Sequence, residues 1–428
     1  MKKESFGPGD TISVVTSDGT KIGSFMPSSD EFLILKLESG YNIGIAKKKI
    51  KSTKLIKKYQ KPKISFCKVP KKAGLKNILI LHTGGTIASE VDYKTGAVIA
   101  RFTPEELICM FPELAEIANI DSKLMRNMFS EDMRFAHYNL LAKEIAKEAK
   151  KYDGIIVTHG TDTISNTATA LSFILEDLNI PVILVGAQRS SDRPSTDAAL
   201  NLICAAHFIA KSFFAEVGVC MHSDLNDESC LILPACKSRK MHSSRRDAFK
   251  PINSKPIAKV ELDGTISFTN YHFNKKSSTK IKLKLFKENL KVGLIKVHPN
   301  MFAKEFEAYK TFKGLLIEGT GLGHAPINVI DKETKEHKNI LSAIQKLAKK
   351  IPVAMSTQTI SGRLNMNVYS TGRLLQEAGV IGNYSDMHPE TAYIKLAWLI
   401  SNHPKEVKKL FTENLRGEIT KRSLNEWL

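Results

Sequence analysis

The sequence predicts an α/β protein: a small N-terminal β-barrel of SH3-like size followed by a two-domain parallel α/β unit. Three observations predict it. Residues 9 to 56 hold short alternating runs separated by Ser-Asp-Gly and Ser-Gly turns, the pattern of a small antiparallel barrel. Beyond a lysine-rich stretch, apolar runs bounded by glycine alternate with amphipathic helical periods, which is how buried parallel strands and their crossover helices read. That pattern is interrupted once, by a second lysine-rich stretch, and then restarts.

In order along the chain, the barrel (1–60) is carried by Thr11 to Thr16, the Ser17-Asp18-Gly19 turn, Phe32 to Leu37 and Tyr41 to Ile45. A basic linker (61–76) follows. The first α/β domain (77–270) has strand candidates at Asn77 to Leu81, Gly154 to Val157, Pro181 to Gly186 and Val217 to Cys220. Its helices are expected over Tyr138 to Lys151 and Ile164 to Leu178, where apolar residues recur at helical spacing. An interdomain linker (271–291) carries Lys275, Lys276, Lys280, Lys282, Lys284 and Lys287. The second α/β domain (292–415) has strands expected at Val292 to Val297, Gly314 to Gly319 and Ile351 to Met355, and a helix from Ala392 to Ile400. Residues 416–428 read as a polar tail.

Composition narrows the function classes. The 428 residues are 42% hydrophobic and 25% charged, enough for two to four cores and incompatible with disorder. No uncharged apolar stretch approaches the roughly 18 residues of a membrane helix. The opening Met1-Lys2-Lys3-Glu4-Ser5 runs into Gly7-Pro8-Gly9-Asp10 rather than an apolar leader, so a cytoplasmic location is expected. Six cysteines without a Cys-x-x-Cys pair predict reduced thiols and no zinc site. The net charge of +19 is concentrated, since Lys47 to Lys76 holds 13 lysines and no acid. Such a block is either a solvated linker or a phosphate-backbone contact.

Two segments carry candidate chemistry. His82-Thr83-Gly84-Gly85-Thr86-Ile87-Ala88 ends the first strand of the α/β unit, where glycines allow a sharp turn and Thr86 stands at the carboxyl edge of a parallel sheet. Thr158-His159-Gly160-Thr161-Asp162-Thr163 lies between a strand and the helix from Ile164, bringing hydroxyls, a carboxylate and free N–H groups to another strand end. A single motif of this kind is explained by helix capping; two in one sheet, one with an acid, point to a site. His159 reads as structural. Ser130 within Arg126 to Met133, and Lys240 within Arg239 to Phe249, are not distinguished from their neighbours by composition.

Thr83-Gly84-Gly85-Thr86-Ile87, Ser130-Glu131-Asp132-Met133, His159-Gly160-Thr161-Asp162-Thr163 and Val185-Gly186-Ala187-Gln188-Arg189 follow the order and approximate spacing of the bacterial-type asparaginases, which the chain resembles over about 77 to 415. The N-terminal barrel, Asp92-Tyr93-Lys94-Thr95-Gly96-Ala97-Val98, Ser191 to Ala199 and Lys240 to Phe249 resemble, within that family, the archaeal glutamyl-tRNA(Gln) amidotransferase D subunits. The resemblance implies an asparaginase-like fold for the α/β unit and makes Thr86, Thr161, Asp162 and Lys240 the catalytic set. Ser130 would grip the substrate α-carboxylate beside Glu131, N–H groups around Gly85 and Gly160 would polarise the amide carbonyl, and Tyr93 falls in the family's mobile lid. A threonine hydroxyl needs a relay to become nucleophilic; Lys240 can pass the proton and Asp162 can hold that lysine or the substrate ammonium. Lys240 is not read as a simple free base, because a neighbouring carboxylate favours a charged amine. The acid that asparaginases take from a neighbouring protomer has no assigned residue in this sequence.

The resemblance further implies a glutaminase, with asparagine as a second substrate, that releases ammonia to a partner. The same resemblance implies that the partner is the amidotransferase E subunit, binding Glu-tRNA(Gln) and using ATP with magnesium, and that two copies of each chain form an α2β2 assembly around a homodimer. No cofactor or metal is expected in this chain, and no membrane. Two other functions compete: a free-standing cytoplasmic asparaginase or glutaminase with an acquired barrel, and an RNA-binding scaffold that has lost catalysis.

Overall fold

The structure, a computed structural model, describes residues 5–38, 41–59, 71–85, 87, 89–91, 98–100, 109–191 and 196–423. Its first unit is a five-stranded antiparallel sheet of β1 (Thr11–Thr16), β2 (Gly19–Met26), β3 (Phe32–Lys36), β4 (Asn42–Ala46) and β5 (Ile50–Lys57), in the order β4-β3-β2-β1-β5. Ile12, Val14, Leu33 and Leu35 fill its core, so the alternation in β1 and β3 does what period-two patterning predicts. Two strands had no clear sequence signal. β2 buries only Gly23 and Met26. β5 lies inside the lysine run, and of its central residues only Thr53 and Leu55 face Val14 and Ile12.

The large sheet has a parallel part made of β6 (Lys76–Gly84), β9 (Ala118–Met128), β10 (Gly154–Thr158), β12 (Val182–Val185) and β13 (Val217–His222), with β6 paired to β9 and β10. β7 (Ser89–Val91) and β8 (Val98–Ala100) form a separate hairpin, and β11 (Leu175–Glu176) pairs with β19 (Lys282–Leu283). Beyond β13 the large sheet turns antiparallel through β14 (Ser229–Pro234), β17 (Ala258–Glu261) and β18 (Ile266–Phe268), an extension the purely parallel reading does not contain. Its full order is β18-β17-β14-β13-β12-β10-β6-β9. β15 (Ser238–Lys240) and β16 (Phe249–Pro251) form a two-stranded ribbon.

The central parallel strands are buried on both faces, as their continuous apolar runs require. Helix Ala198–Lys211 covers one face, and helices Phe135–Glu148 and Ile164–Ile174 the other. The second sheet, β20 (Val292–Lys296), β21 (Gly314–Gly319), β22 (Val353–Thr357) and β23 (Val380–Ile381), is parallel throughout. Helix Pro389–Asn402 links the two cores. It packs against helix Ile164–Ile174, with Phe173 and Trp398 ring centroids 5.2 Å apart. Burying each such side chain is worth about 1.5–3 kcal/mol, and the two α/β domains share one apolar cluster.

Glu418, in the stretch that reads as a polar tail, is fully buried with Lys395 at 2.6 Å. Its carboxylate also accepts the Leu415 and Arg416 N–H groups, so polarity here marks a satisfied internal network. Cys204, Cys220, Cys230 and Cys236 are free and buried, whereas Cys109 is disulfide-bonded, against the expectation of reduced thiols throughout. Among the described residues no helix is long and apolar enough to cross a membrane.

Candidate active site

β6 and β10 are neighbours in parallel register, Thr158 opposite His82, so the two motifs that follow them leave the sheet side by side at its carboxyl edge. Their backbones touch. A Cβ on Gly85 would stand 2.4 Å from the Gly160 nitrogen, and Gly85 also holds a φ of +82°, so this position admits glycine alone. Thr83 Oγ1 donates to the Thr158 carbonyl at 2.8 Å, tying one motif to the other.

His159 sits beneath this surface with both ring nitrogens engaged. Nδ1 lies 2.7 Å from the Gly160 carbonyl oxygen and must donate to it; Nε2 then accepts from Thr167 Oγ1 at 2.8 Å. Burial pushes its imidazole down to about 4, so it is neutral and structural. His82, against Thr158 Oγ1 at 2.9 Å, is likewise pushed down to about 4 by burial.

The chemistry converges on one amine. Lys240 Nζ donates to Thr161 Oγ1 at 2.8 Å and to Asp162 Oδ1 at 2.8 Å. Thr161 is 7% exposed, whereas the Asp162 side chain is 68% exposed. Lys240 therefore sets its amine against a buried hydroxyl while its carboxylate partner remains open to solvent. Thr161 also lies 3.4 Å from Gln188 Oε1, a direction in which its proton can point.

With this geometry, comparison with known proteins is informative. The Asparaginase N-terminal family model matches residues 77–273, the Glutaminase/Asparaginase C-terminal domain matches 291–411, and the GatD N-terminal domain matches 6–56. The glutamyl-tRNA(Gln) amidotransferase D subunit of Pyrococcus abyssi is 45% identical over 98% of this chain and 96% of its own length. The chain belongs to the D-subunit family of glutamyl-tRNA(Gln) amidotransferases. The D subunit of Pyrococcus horikoshii is 46% identical over the same shares. Among solved structures, the thermostable L-asparaginase from Thermococcus kodakarensis superposes with a TM-score of 0.69 at 28% identity, covering 81% of this chain and 100% of that one. Members of the D-subunit family are parts of multi-subunit amidotransferases, so partner subunits are implied.

The other residues expected for the site of a D subunit fall into three groups. Ser130 is buried in a short 3-10 turn (Ser130–Asp132) after β9; its carbonyl accepts Thr163 Oγ1 at 2.6 Å, and a Cβ on Gly160 would meet Ser130 Oγ at 2.9 Å. Ser130, Gly85, Gly160, Thr161, Asp162 and Lys240 are thus brought together. Glu131 is exposed and lines, with Ser130, Tyr138, Thr163 and Tyr393, an adjoining cleft of about 330 Å³. Thr86 and Tyr93 lie outside the described residues.

The basic residues around Lys240 are each paired with an acid. Lys237 is 1% exposed and paired with Asp386 at 2.9 Å. Arg239 pairs with Glu390 at 3.1 Å, and Thr391 Oγ1 donates to the Cys236 carbonyl at 2.9 Å. Arg245 binds Asp247 at 2.8 Å and Arg246 binds Asp227 at 2.5 Å. Segment 386–391 of the second domain therefore holds the ribbon that delivers Lys240. A second support was missed in the sequence. Buried Asp197 accepts the Gln188 and Arg189 N–H groups at 3.0 Å, and Ser191 Oγ donates to the Ile87 carbonyl at 2.6 Å. Asp197 so fixes the turn after β12, and Ser191 braces the motif after β6; their signal was present only as the Ser191 to Ala199 match.

Proposed function

We propose that the chain is the ammonia-producing subunit of a tRNA-dependent amidotransferase, hydrolysing glutamine, and asparagine secondarily, so that a partner converts Glu-tRNA(Gln) to Gln-tRNA(Gln). The observation that carries this reading is the Lys240 amine 2.8 Å from both Thr161 and Asp162, on the asparaginase unit of a chain of the D-subunit family. A threonine hydroxyl, from Thr86 or Thr161, adds to the side-chain amide carbonyl. The C–N bond breaks, ammonia leaves with the proton returned through the Thr161 and Lys240 relay, and water then cleaves the acyl ester to glutamate. Donors at Gly85 and Gly160 take the developing oxyanion, Ser130 takes the α-carboxylate beside Glu131, and Asp162 takes the α-ammonium. Tyr93 belongs to the segment to which the family resemblance gives the role of a lid.

This chemistry requires no cofactor in the chain. In the complex, ATP and magnesium serve the partner, the E subunit, which also carries the tRNA, and two copies of each polypeptide assemble in the cytoplasm. The test is ammonia release from glutamine by the purified chain alone, then with its partner and charged tRNA. A large stimulation in the complex is expected; full activity of the chain alone would favour a free-standing asparaginase.

A further inference from the structure

The structure divides the lysine run in two. After the barrel, Lys71 pairs with Asp121 at 2.7 Å, Lys72 with Glu116 at 2.5 Å and Lys76 with Asp153 at 3.0 Å, so these lysines fasten the chain to acids of the α/β domain. Within the barrel, Lys49 has Asp18 at 3.6 Å and Lys58 has Asp10 at 3.1 Å. Lys47, Lys48, Lys51, Lys54 and Lys57 differ. All five are exposed, and among the described residues none has a side-chain hydrogen bond or an ion pair. They occupy the turn Lys47–Lys49 and β5, which is an edge strand of its sheet.

The register aligns them. Leu55 and Thr53 lie opposite Ile12 and Val14 and face the core, so Lys54, opposite Ser13, and Lys57, opposite Thr11, face outward. Irregularities at the two ends of the pairing leave Lys51 and Ile56 as extra residues, and such bulges turn a side chain outward from an edge. At about 3.3 Å per residue in the strand and about 2 Å in the turn, Lys47 to Lys57 span roughly 30 Å, and of the six lysines in that span five carry no counter-charge among the described residues, Lys49 being paired with Asp18.

We propose that this edge of the barrel binds an RNA phosphate backbone. The fit is one of charge: unpaired lysines along a strand match evenly spaced phosphates, and release of counterions makes the contact favourable. No array of base-reading side chains accompanies the row among the described residues, so the contact is independent of nucleotide sequence. Identifying the RNA as tRNA rests on the amidotransferase function proposed for the chain; the phosphate contact itself does not. Edge lysines also serve simply to block sheet-to-sheet association, and that role predicts no RNA affinity.

The test uses the full chain and a tRNA(Gln) transcript, titrated from about 50 to 200 mM salt. Combining Lys47→Gln, Lys48→Gln, Lys51→Gln, Lys54→Gln and Lys57→Gln should weaken binding and reduce the slope of log affinity against log salt by about 3.5–4.5. The pair Lys54→Gln and Lys57→Gln alone should reduce it by about 1.4–1.8, which guards against misfolding of the larger variant. Lys71→Gln with Lys72→Gln should leave the slope unchanged, and an unrelated tRNA should compete. An unchanged slope in the five-fold variant, an equal loss in the Lys71 and Lys72 pair, or no binding by the wild type at about 50 mM would each overturn the proposal. Ammonia release from glutamine without RNA should be retained in every variant, so loss of RNA binding with intact hydrolysis separates this inference from the amidase reading.

Discussion

Lys237, in the turn that enters the ribbon, and Lys240, on the ribbon itself, lie three residues apart, each bound to an aspartate, yet they belong to different regions. Lys237 and Asp386 are 1% and 2% exposed and join the two α/β domains. Lys240 is 14% exposed, and its partner Asp162 is 68% exposed at the mouth of the site. In the seam the hydrogen-bonding capacity is used internally, since Asp386 also accepts Thr420 N–H and Lys237 reaches the Asp386 carbonyl. In the site the same kind of pair leaves carboxylate oxygens facing solvent and sets the amine against a hydroxyl. A lysine-aspartate pair is thus a fastening where water is excluded and, on the proposed function, a working pair where a ligand can replace water.

Breaking either pair tests the contrast. Lys240→Met should lower glutamine turnover by about 10²–10⁴-fold while leaving the unfolding midpoint close to wild type, as removal of a proton relay does. Steady-state kinetics beside a denaturant titration checks both halves. Lys237→Ala should do the reverse: it strands a buried carboxylate and should cost about 3–5 kcal/mol of stability. Its turnover, measured on the folded fraction, should fall far less than that of Lys240→Met; equal losses in turnover would mean that the ribbon's charge, rather than one amine, drives the reaction.

A smaller effect sharpens the boundary between structure and chemistry beneath the site. His82 and His159 are held near 4 in the folded chain against an ordinary value of 6.5. Between those values the unfolded chain binds more protons, so stability is fully present above pH 6.5 and falls as pH is lowered towards 4. Urea titrations across this range should show that slope, and His159→Gln should flatten it. A slope unchanged by the substitution would mean that His159 is charged in the fold.

What the sequence made legible follows from where burial is complete. β6 and β10 show as unbroken apolar runs because both faces are covered, and the motifs after them stand out because strand ends carry unusual hydroxyl and glycine pairs. β9 was hidden, since Asp121, Ser122, Lys123, Arg126 and Asn127 give this sheet-edge strand a loop's polarity. β5 was hidden by its lysines for the same reason. The seam was illegible on different grounds: Lys237 and Asp386 are 149 residues apart, and no local pattern reveals that both charges are buried. Asp197 is similar, a carboxylate just before a helix that is spent on the Gln188 and Arg189 amides.

On the proposed function, Thr161 and Lys240 together serve amide hydrolysis and nothing downstream of ammonia. Thr161→Val removes the hydroxyl and nearly preserves volume. The decisive measurement is formation of Gln-tRNA(Gln) by the complex carrying this variant, with either glutamine or free ammonium as nitrogen source. The glutamine-dependent reaction should fall by about 10²-fold or more, with the ammonium-dependent reaction retained. Wild-type rates with glutamine, or equal loss with both nitrogen sources in a folded complex, would contradict that division of labour.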